Sequence, residues 1–138
     1  MNEVSVLRLN LLRACYLLLA AGTAVTFMSQ LPVAAALPLM EGAVCSLLSA
    51  LGLLSIIGLV SPLRMLPLLL FEIGWKLLWT GFVAMPRWRA GTIDEGTLET
   101  LFAVAWVLPF LFIVPWRYAL RTYFRPEPWR HARAVTTA

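Results

Sequence analysis

One acid and one base lie in the middle of an otherwise apolar stretch, MLPLLLFEIGWKLLWTGFVAM, at residues 65–85. Two charged side chains and two tryptophans in this stretch are spaced three, four and seven residues apart: Glu72, Trp75, Lys76 and Trp79. On a helix these spacings place all four on one face. The face offers an ion pair, a ring surface for a cation and a carboxylate that could titrate.

Three interpretations of this face follow from its residue types. In the first, Glu72 and Lys76 form a buried pair that fixes how their helix is rotated, with the tryptophans as packing. In the second, the four residues line a pocket for a lipid-like or small hydrophobic ligand. In the third, Glu72 carries protons in transport, although the positive charge of Lys76 favours the ionised carboxylate and opposes that role.

Other catalytic chemistry has little support in the sequence. The single histidine, His131, lies in the C-terminal tail, away from any serine or acid of the apolar stretches. Cys15 and Cys45 lie in separate apolar blocks without a CxxC motif, which favours two buried free thiols. The sequence therefore predicts no catalytic residue, no metal site and no cofactor.

Composition indicates a membrane protein. Of 138 residues, 61% are hydrophobic and 13% are charged, and the mean hydropathy is +0.83, whereas soluble domains have about 25% charged residues. The apolar residues form four blocks, each near the roughly 20 residues of a helical bilayer crossing. We predict an all-α polytopic membrane protein, a single-domain antiparallel bundle of four transmembrane helices near 7–28, 41–60, 65–85 and 97–118, with a basic interfacial tail at 119–138.

Prolines and short polar segments predict how these helices are connected. The segment 29–40 is apolar and carries two prolines and no charge, which favours an interfacial or shallow re-entrant segment. Residues 61–64 are too few for anything but an antiparallel hairpin. Pro86 is expected to end the third helix, and Pro109 and Pro115 to bend the fourth.

The loop before the fourth helix carries acids opposite arginines. Thr92 and Glu95 have the spacing of a capping box, so we expect the threonine hydroxyl to accept from a free amide there. The acids of this region are Asp94, Glu95 and Glu99. We expect them to pair with Arg87 or Arg89, which would order the loop without forming a site.

Small side chains recur along the second helix at three- and four-residue steps: Cys45, Ser49, Gly52, Ser55 and Gly58. Such a ridge allows a neighbouring helix to approach closely. We therefore predict a helix-packing seam centred on Ser49, Gly52 and Ser55.

The net charge of +4 comes from ten arginines and one lysine, and the arginines flank the apolar blocks. With four crossings, eight arginines fall on the side of both termini and only Arg87 and Arg89 on the other. The positive-inside rule then predicts that both termini are cytoplasmic, and the composition is typical of a bacterial inner-membrane protein. This distribution of arginines does not favour nucleic-acid binding.

In the tail, basic and aromatic residues predict an anchor on an anionic leaflet: Arg117, Arg121, Arg125 and Trp129.

The strong charge bias separates this chain from small multidrug exporters, some of which have nearly balanced loops, and the first helix here lacks the glutamate that those exporters carry there. The four-crossing layout, with a short hairpin before PLRMLPLLLFEIGWKLLW, resembles the small bacterial DoxX-like membrane proteins. That resemblance implies an accessory role in a membrane complex. A more distant similarity, through LLLFEIGW and AWVLPFLFIVPW, is to the sterol isomerase and sigma-2 receptor group.

From these features we predict a non-catalytic integral membrane protein that acts as a binding or accessory subunit. Its expected partners are the lipid bilayer and either further copies of itself or a membrane protein complex. The alternative is a small proton-coupled transporter, or an isomerase-like protein that binds a lipid or sterol-like ligand, with Glu72 as its working residue.

Overall fold

The computed structural model describes residues 4–126, and this part of the chain is helical without any strand. Its α-helices are α1 (Val6–Thr26), α2 (Leu39–Val60), α3 (Leu66–Trp79), α4 (Met85–Arg89), α5 (Glu95–Ala105), α6 (Val107–Ile113) and α7 (Trp116–Tyr123). Four helical stretches are long and apolar enough to cross a membrane: Val6–Ala36, Leu39–Val60, Leu66–Arg89 and Glu95–Ile113. The predicted all-α class with four such stretches is confirmed.

Helices α1 and α2 form the most closely packed pair, and the small residues of α2 explain why. A Cβ atom at Gly52 would overlap the hydroxyl of Thr23, and one at Gly58 would overlap the ring of Tyr16. Only glycine therefore allows α1 to lie this close. The whole ridge is buried: Cys45, Ser49, Gly52, Ser55 and Gly58.

The segment after α1 is a 3-10 helix, Met28–Ala36, which contains Pro32 and packs against α2. Pro38 precedes the first residue of α2, where its missing N–H costs no helical hydrogen bond. The helix explains how so apolar a segment satisfies its backbone. Its placement at a membrane surface stays a prediction.

The prediction that Pro86 ends the third helix was wrong. The helix continues from α3 through a π-helical turn, Thr80–Ala84, into α4, which ends at Arg89. Proline removes one N–H donor and crowds the carbonyl four residues earlier. The wider π turn directly before Pro86, in which the amide of Met85 donates to the carbonyl of Thr80, accommodates both effects.

The fourth apolar stretch is interrupted near both of its prolines, where the sequence predicts bends. Helix α5 gives way to α6 at Trp106, and α6 gives way to α7 at Val114 and Pro115. Because Pro115 has no N–H, the carbonyl of Leu111 loses its helical partner. The indole N–H of Trp116 donates to that carbonyl instead, at 2.7 Å.

The predicted capping box of Thr92 and Glu95 was also wrong. Asp94 is the N-cap of α5, and its carboxylate accepts from the amide of Thr97 at 2.9 Å. The hydroxyl of Thr92 points away and donates to the carbonyl of Arg87. Aspartate is among the preferred N-cap residues, so it caps a helix that begins two residues later than the box requires.

Candidate functional site

The charged face of α3 forms a closed hydrogen-bonded cluster. The ammonium of Lys76 lies 2.7 Å from Oε1 of Glu72, and the indole N–H of Trp75 donates to Oε2 of Glu72 at 2.6 Å. Both partners lie on the same helix, three and four residues from the glutamate, because these spacings place side chains above one another. Each carboxylate oxygen therefore has a charged or polar partner.

The cluster is turned into the bundle, towards α6. Glu72 is 2% exposed and Lys76 is 8% exposed. The ammonium of Lys76 also lies 5.7 Å from the centroid of the Trp75 ring and 6.0 Å from that of Phe110 on α6. A lone charge at the centre of a membrane span costs roughly 2.5 to 3.5 kcal/mol, so mutual neutralisation and burial reduce the cost of two charges in one apolar helix.

The structure unites three of the four predicted face residues and adds one that sequence reasoning missed. Trp79 lies one turn beyond Lys76 and is half-buried; in the described part of the chain, no hydrogen bond or ring contact joins it to the other three. Phe110 takes the place next to the ammonium. No sequence pattern pointed to Phe110, because its contact depends on how α6 packs against α3.

The seam on α2 uses its polar side chains locally. The hydroxyl of Ser55 donates to the carbonyl of Leu51 at 2.8 Å, and across the seam the hydroxyl of Thr23 donates to that of Leu19 at 2.8 Å. The hydroxyl of Ser49 is buried without a hydrogen-bond partner among the described residues. The seam is thus a packing surface, and the hydroxyls of Ser55 and Thr23 bond to carbonyls of their own helices.

The two cysteines are free, buried thiols. Cys15 lies on the buried face of α1, whereas Cys45 begins the ridge on α2 and donates to the carbonyl of Phe27 at 3.2 Å. Within residues 4–126, no group of three histidine, cysteine or acidic side chains is arranged to hold a metal ion.

At one end of the bundle, α7 is held against the loop between α2 and α3. The hydroxyl of Tyr123 donates to the carbonyl of Leu63 at 2.6 Å, and that of Tyr16 donates to the carbonyl of Pro62 at 2.8 Å. Burial raises the pKa of Tyr123, with a smaller effect from nearby Tyr118. These contacts join the middle of α1 and the whole of α7 to the hairpin between α2 and α3.

The outward side of α7 carries two parallel stripes, one basic and one apolar. Arg117 and Arg121 are exposed and lie four residues apart, and Arg125 follows after the helix ends. The second stripe is also exposed and is made of Trp116, Leu120 and Phe124. The two stripes differ by one position in the sequence, so they lie about 100° apart around the helix. Adjacent basic and apolar stripes of this kind suit a membrane interface. The fourth predicted interface residue, Trp129, lies outside the described residues.

At the opposite end, the loop before α5 is ordered by the pairing expected there. Arg87 lies 3.7 Å from the carboxylate of Asp94 and donates to the hydroxyl of Thr97 at 2.9 Å. Hydrogen bonds from the hydroxyl and amide of Thr97, with the charge of Arg87, hold the pKa of Asp94 below its usual range. The side chains are well exposed, so the pairing orders the loop and adds little stability.

Comparison of the chain with protein families, with curated proteins and with solved structures found no match.

Proposed function

We propose that this chain is a multi-pass protein of the bacterial inner membrane that acts without catalysis, as a binding or accessory subunit of a homo-oligomer or a larger membrane complex. The observation that carries the proposal is the closed state of the charged cluster on α3. Both oxygens of Glu72 are engaged, by Lys76 at 2.7 Å and by Trp75 at 2.6 Å.

This geometry supports a structural role for the cluster more than a chemical one. A proton carrier needs a carboxylate that can exchange protons with water, whereas Glu72 is 2% exposed and both of its oxygens are bonded within α3. A ligand site needs polar groups that are free to bind, whereas those of Glu72 are already satisfied within α3. The cluster instead sets the rotation of α3 against Phe110 on α6.

With the interior accounted for by packing, the outer surface is the remaining place for function. Large aromatic side chains on α5 and α6 point outward, including Phe102 at 71% and Phe112 at 80% exposure. In a membrane such a surface faces either acyl chains or the helices of a partner. A binding or accessory subunit uses it for both.

The proposed orientation has cytoplasmic termini. It is supported by the clustering of arginines at the end that holds the start of α1, the hairpin and α7, against Arg87 and Arg89 at the other end. A relationship to the DoxX-like proteins is part of the same proposal, since the four apolar stretches and the segment 62–79 carry that resemblance and accessory subunits occur in that group.

Site-specific photocrosslinking in native membranes tests the proposal. A photoreactive phenylalanine analogue is placed at the exposed position Phe102 or Phe112, and at the buried position Phe110 as the matched control. We expect a discrete protein adduct, either a second copy or a partner subunit, from at least one exposed position and none from Phe110. A chain that extracts as a monomer and gives only lipid adducts at both exposed positions contradicts an accessory role.

A further inference from the structure

A basic cavity lies where the start of α1 meets the break between α6 and α7. It has a volume of about 430 Å³, and its described lining residues include three arginines and no acid. Arg8 comes from the first turn of α1, whereas Arg117 and Arg121 lie one turn apart on α7. The three guanidinium groups therefore come from opposite ends of the chain.

The cavity has a fixed frame. Helix α7 is seated on the core through Ala119, which is fully buried, and through the hydrogen bond from Tyr123 to Leu63. The turn that forms one wall is held by the indole of Trp116, which donates to the carbonyl of Leu111. The arginines are thus presented by anchored helices and not by a loose tail.

The residue types point to one ligand chemistry. Guanidinium groups present paired N–H donors that match the oxygens of a phosphate group, and several of them together favour an anionic ligand. The cavity falls within the range of about 300 to 1,000 Å³ that small-molecule sites occupy. Its edge is apolar, because Phe112, 80% exposed, and Trp116 also line it.

We propose that this cavity binds a phosphate group, and that in the membrane this is the headgroup phosphate of an anionic phospholipid. Arg8 and Arg117 hold the phosphate, and the acyl chains lie along Phe112 and the apolar side of α6. That the phosphate comes from a lipid depends on the proposed membrane placement. That the cavity binds a phosphate group does not depend on it. It differs from a general attraction to an anionic surface in requiring Arg8, which lies on another helix from the rest.

Native mass spectrometry of the full chain, released from detergent micelles, tests the site. The protein is offered phosphatidylglycerol or phosphatidylcholine with identical acyl chains. We expect one phosphatidylglycerol to be retained, about tenfold in preference to phosphatidylcholine, and Arg8→Gln and Arg117→Gln each to reduce that preference several-fold. The matched control is Arg64→Gln, which removes an exposed arginine from the hairpin at the same end but outside the cavity.

The possible results separate the source of the phosphate from the existence of the site. Inorganic phosphate that protects the wild-type chain against heat, but not the Arg8→Gln chain, supports the phosphate site without requiring a lipid. Equal retention of the two lipids together with no protection by inorganic phosphate overturns the proposal, as does an equal loss in Arg64→Gln. Because Arg8 and Arg117 are exposed, their replacement leaves the packed core unchanged. Extraction of the chain from membranes by alkaline carbonate contradicts the proposed membrane placement alone.

Discussion

The carboxylate of Glu72 lies 2.7 Å from the ammonium of Lys76, one helical turn later, and neither side chain is more than 10% exposed. The two charges therefore neutralise each other within one helix, without a partner from a second helix. Their shared face then packs against Phe110. The consequences of this relationship, and of the other contacts described above, can be measured separately.

Removing one member of the pair is expected to destabilise the fold. Glu72→Gln leaves the ammonium of Lys76 buried without a counter-charge, and breaking a buried pair in this way costs about 3 to 5 kcal/mol. The midpoint of thermal unfolding in detergent reports the loss. Glu99→Gln, at an exposed acid outside the bundle core, is the control and should unfold like the wild type. A Glu72→Gln protein as stable as that control would show that the pair does not hold the helices.

Two glycine substitutions, one in the seam between α1 and α2 and one on α3, are expected to have different effects on stability. Gly58→Ala places a methyl group into the ring of Tyr16, and overpacking of this kind costs about 1 to 3 kcal/mol. Gly74→Ala has no neighbouring atom within 4 Å, so it should be neutral or stabilise by up to about 1 kcal/mol through helix propensity. Equilibrium unfolding in mixed micelles compares the two. Equal effects of both substitutions are incompatible with the close approach of α1 to Gly58.

The N-cap of α5 predicts a pH dependence at the acidic end. Because the pKa of Asp94 is held below its ordinary value of 3.8, ionised Asp94 contributes stability above that value, and the contribution is lost as the pH falls through the lower, folded-state pKa. Asp94→Asn keeps a good cap but cannot titrate. The variant should therefore lose part of the acid sensitivity of thermal unfolding while it keeps its helix content. An unchanged acid limb would mean that the Thr97 hydrogen bonds do not act on the ionised form.

Trp116 and Pro115 should be energetically coupled. Trp116→Phe removes the indole donor to the carbonyl of Leu111, and because this hydrogen bond is exposed we expect its net contribution to be about 0.5 to 1.5 kcal/mol. In a Pro115→Ala background the restored backbone N–H can supply that carbonyl, so the same change should cost less. A double-mutant cycle on unfolding free energies measures the difference. Additive effects would exclude the proposed compensation.

The sequence predicts best what depends on spacing within one helix. The meeting of Glu72 and Lys76 follows from a separation of four residues, and the four apolar stretches follow from composition. It fails where the outcome depends on a neighbour. The helix continues through Pro86 because of a π turn at Thr80–Ala84, and no residue type in that segment predicts such a turn.

Contacts between helices were the other gap. Tertiary packing places Phe110 next to Lys76, and it brings Arg8 and Arg117 to the same cavity. In both cases the segments are far apart in the chain. Their sequences show only an apolar helix and scattered arginines. The cap of α5 was misplaced for a different reason, since Thr92 and Asp94 are both acceptable caps and only the helix start decides between them.

The central claim, that the charged cluster serves packing and not chemistry, is tested most directly by replacing both charges at once. In Glu72→Leu combined with Lys76→Leu, no buried charge is left unpaired, and such replacements are often neutral or stabilising. We measure the photocrosslinked assembly of this double variant in native membranes, with the reactive group at Phe102 or Phe112. The account predicts the same adduct, in the same yield, as in the wild-type chain. A double variant that is stably folded and membrane-inserted but has lost the adduct would contradict it and would return Glu72 and Lys76 to the functional site.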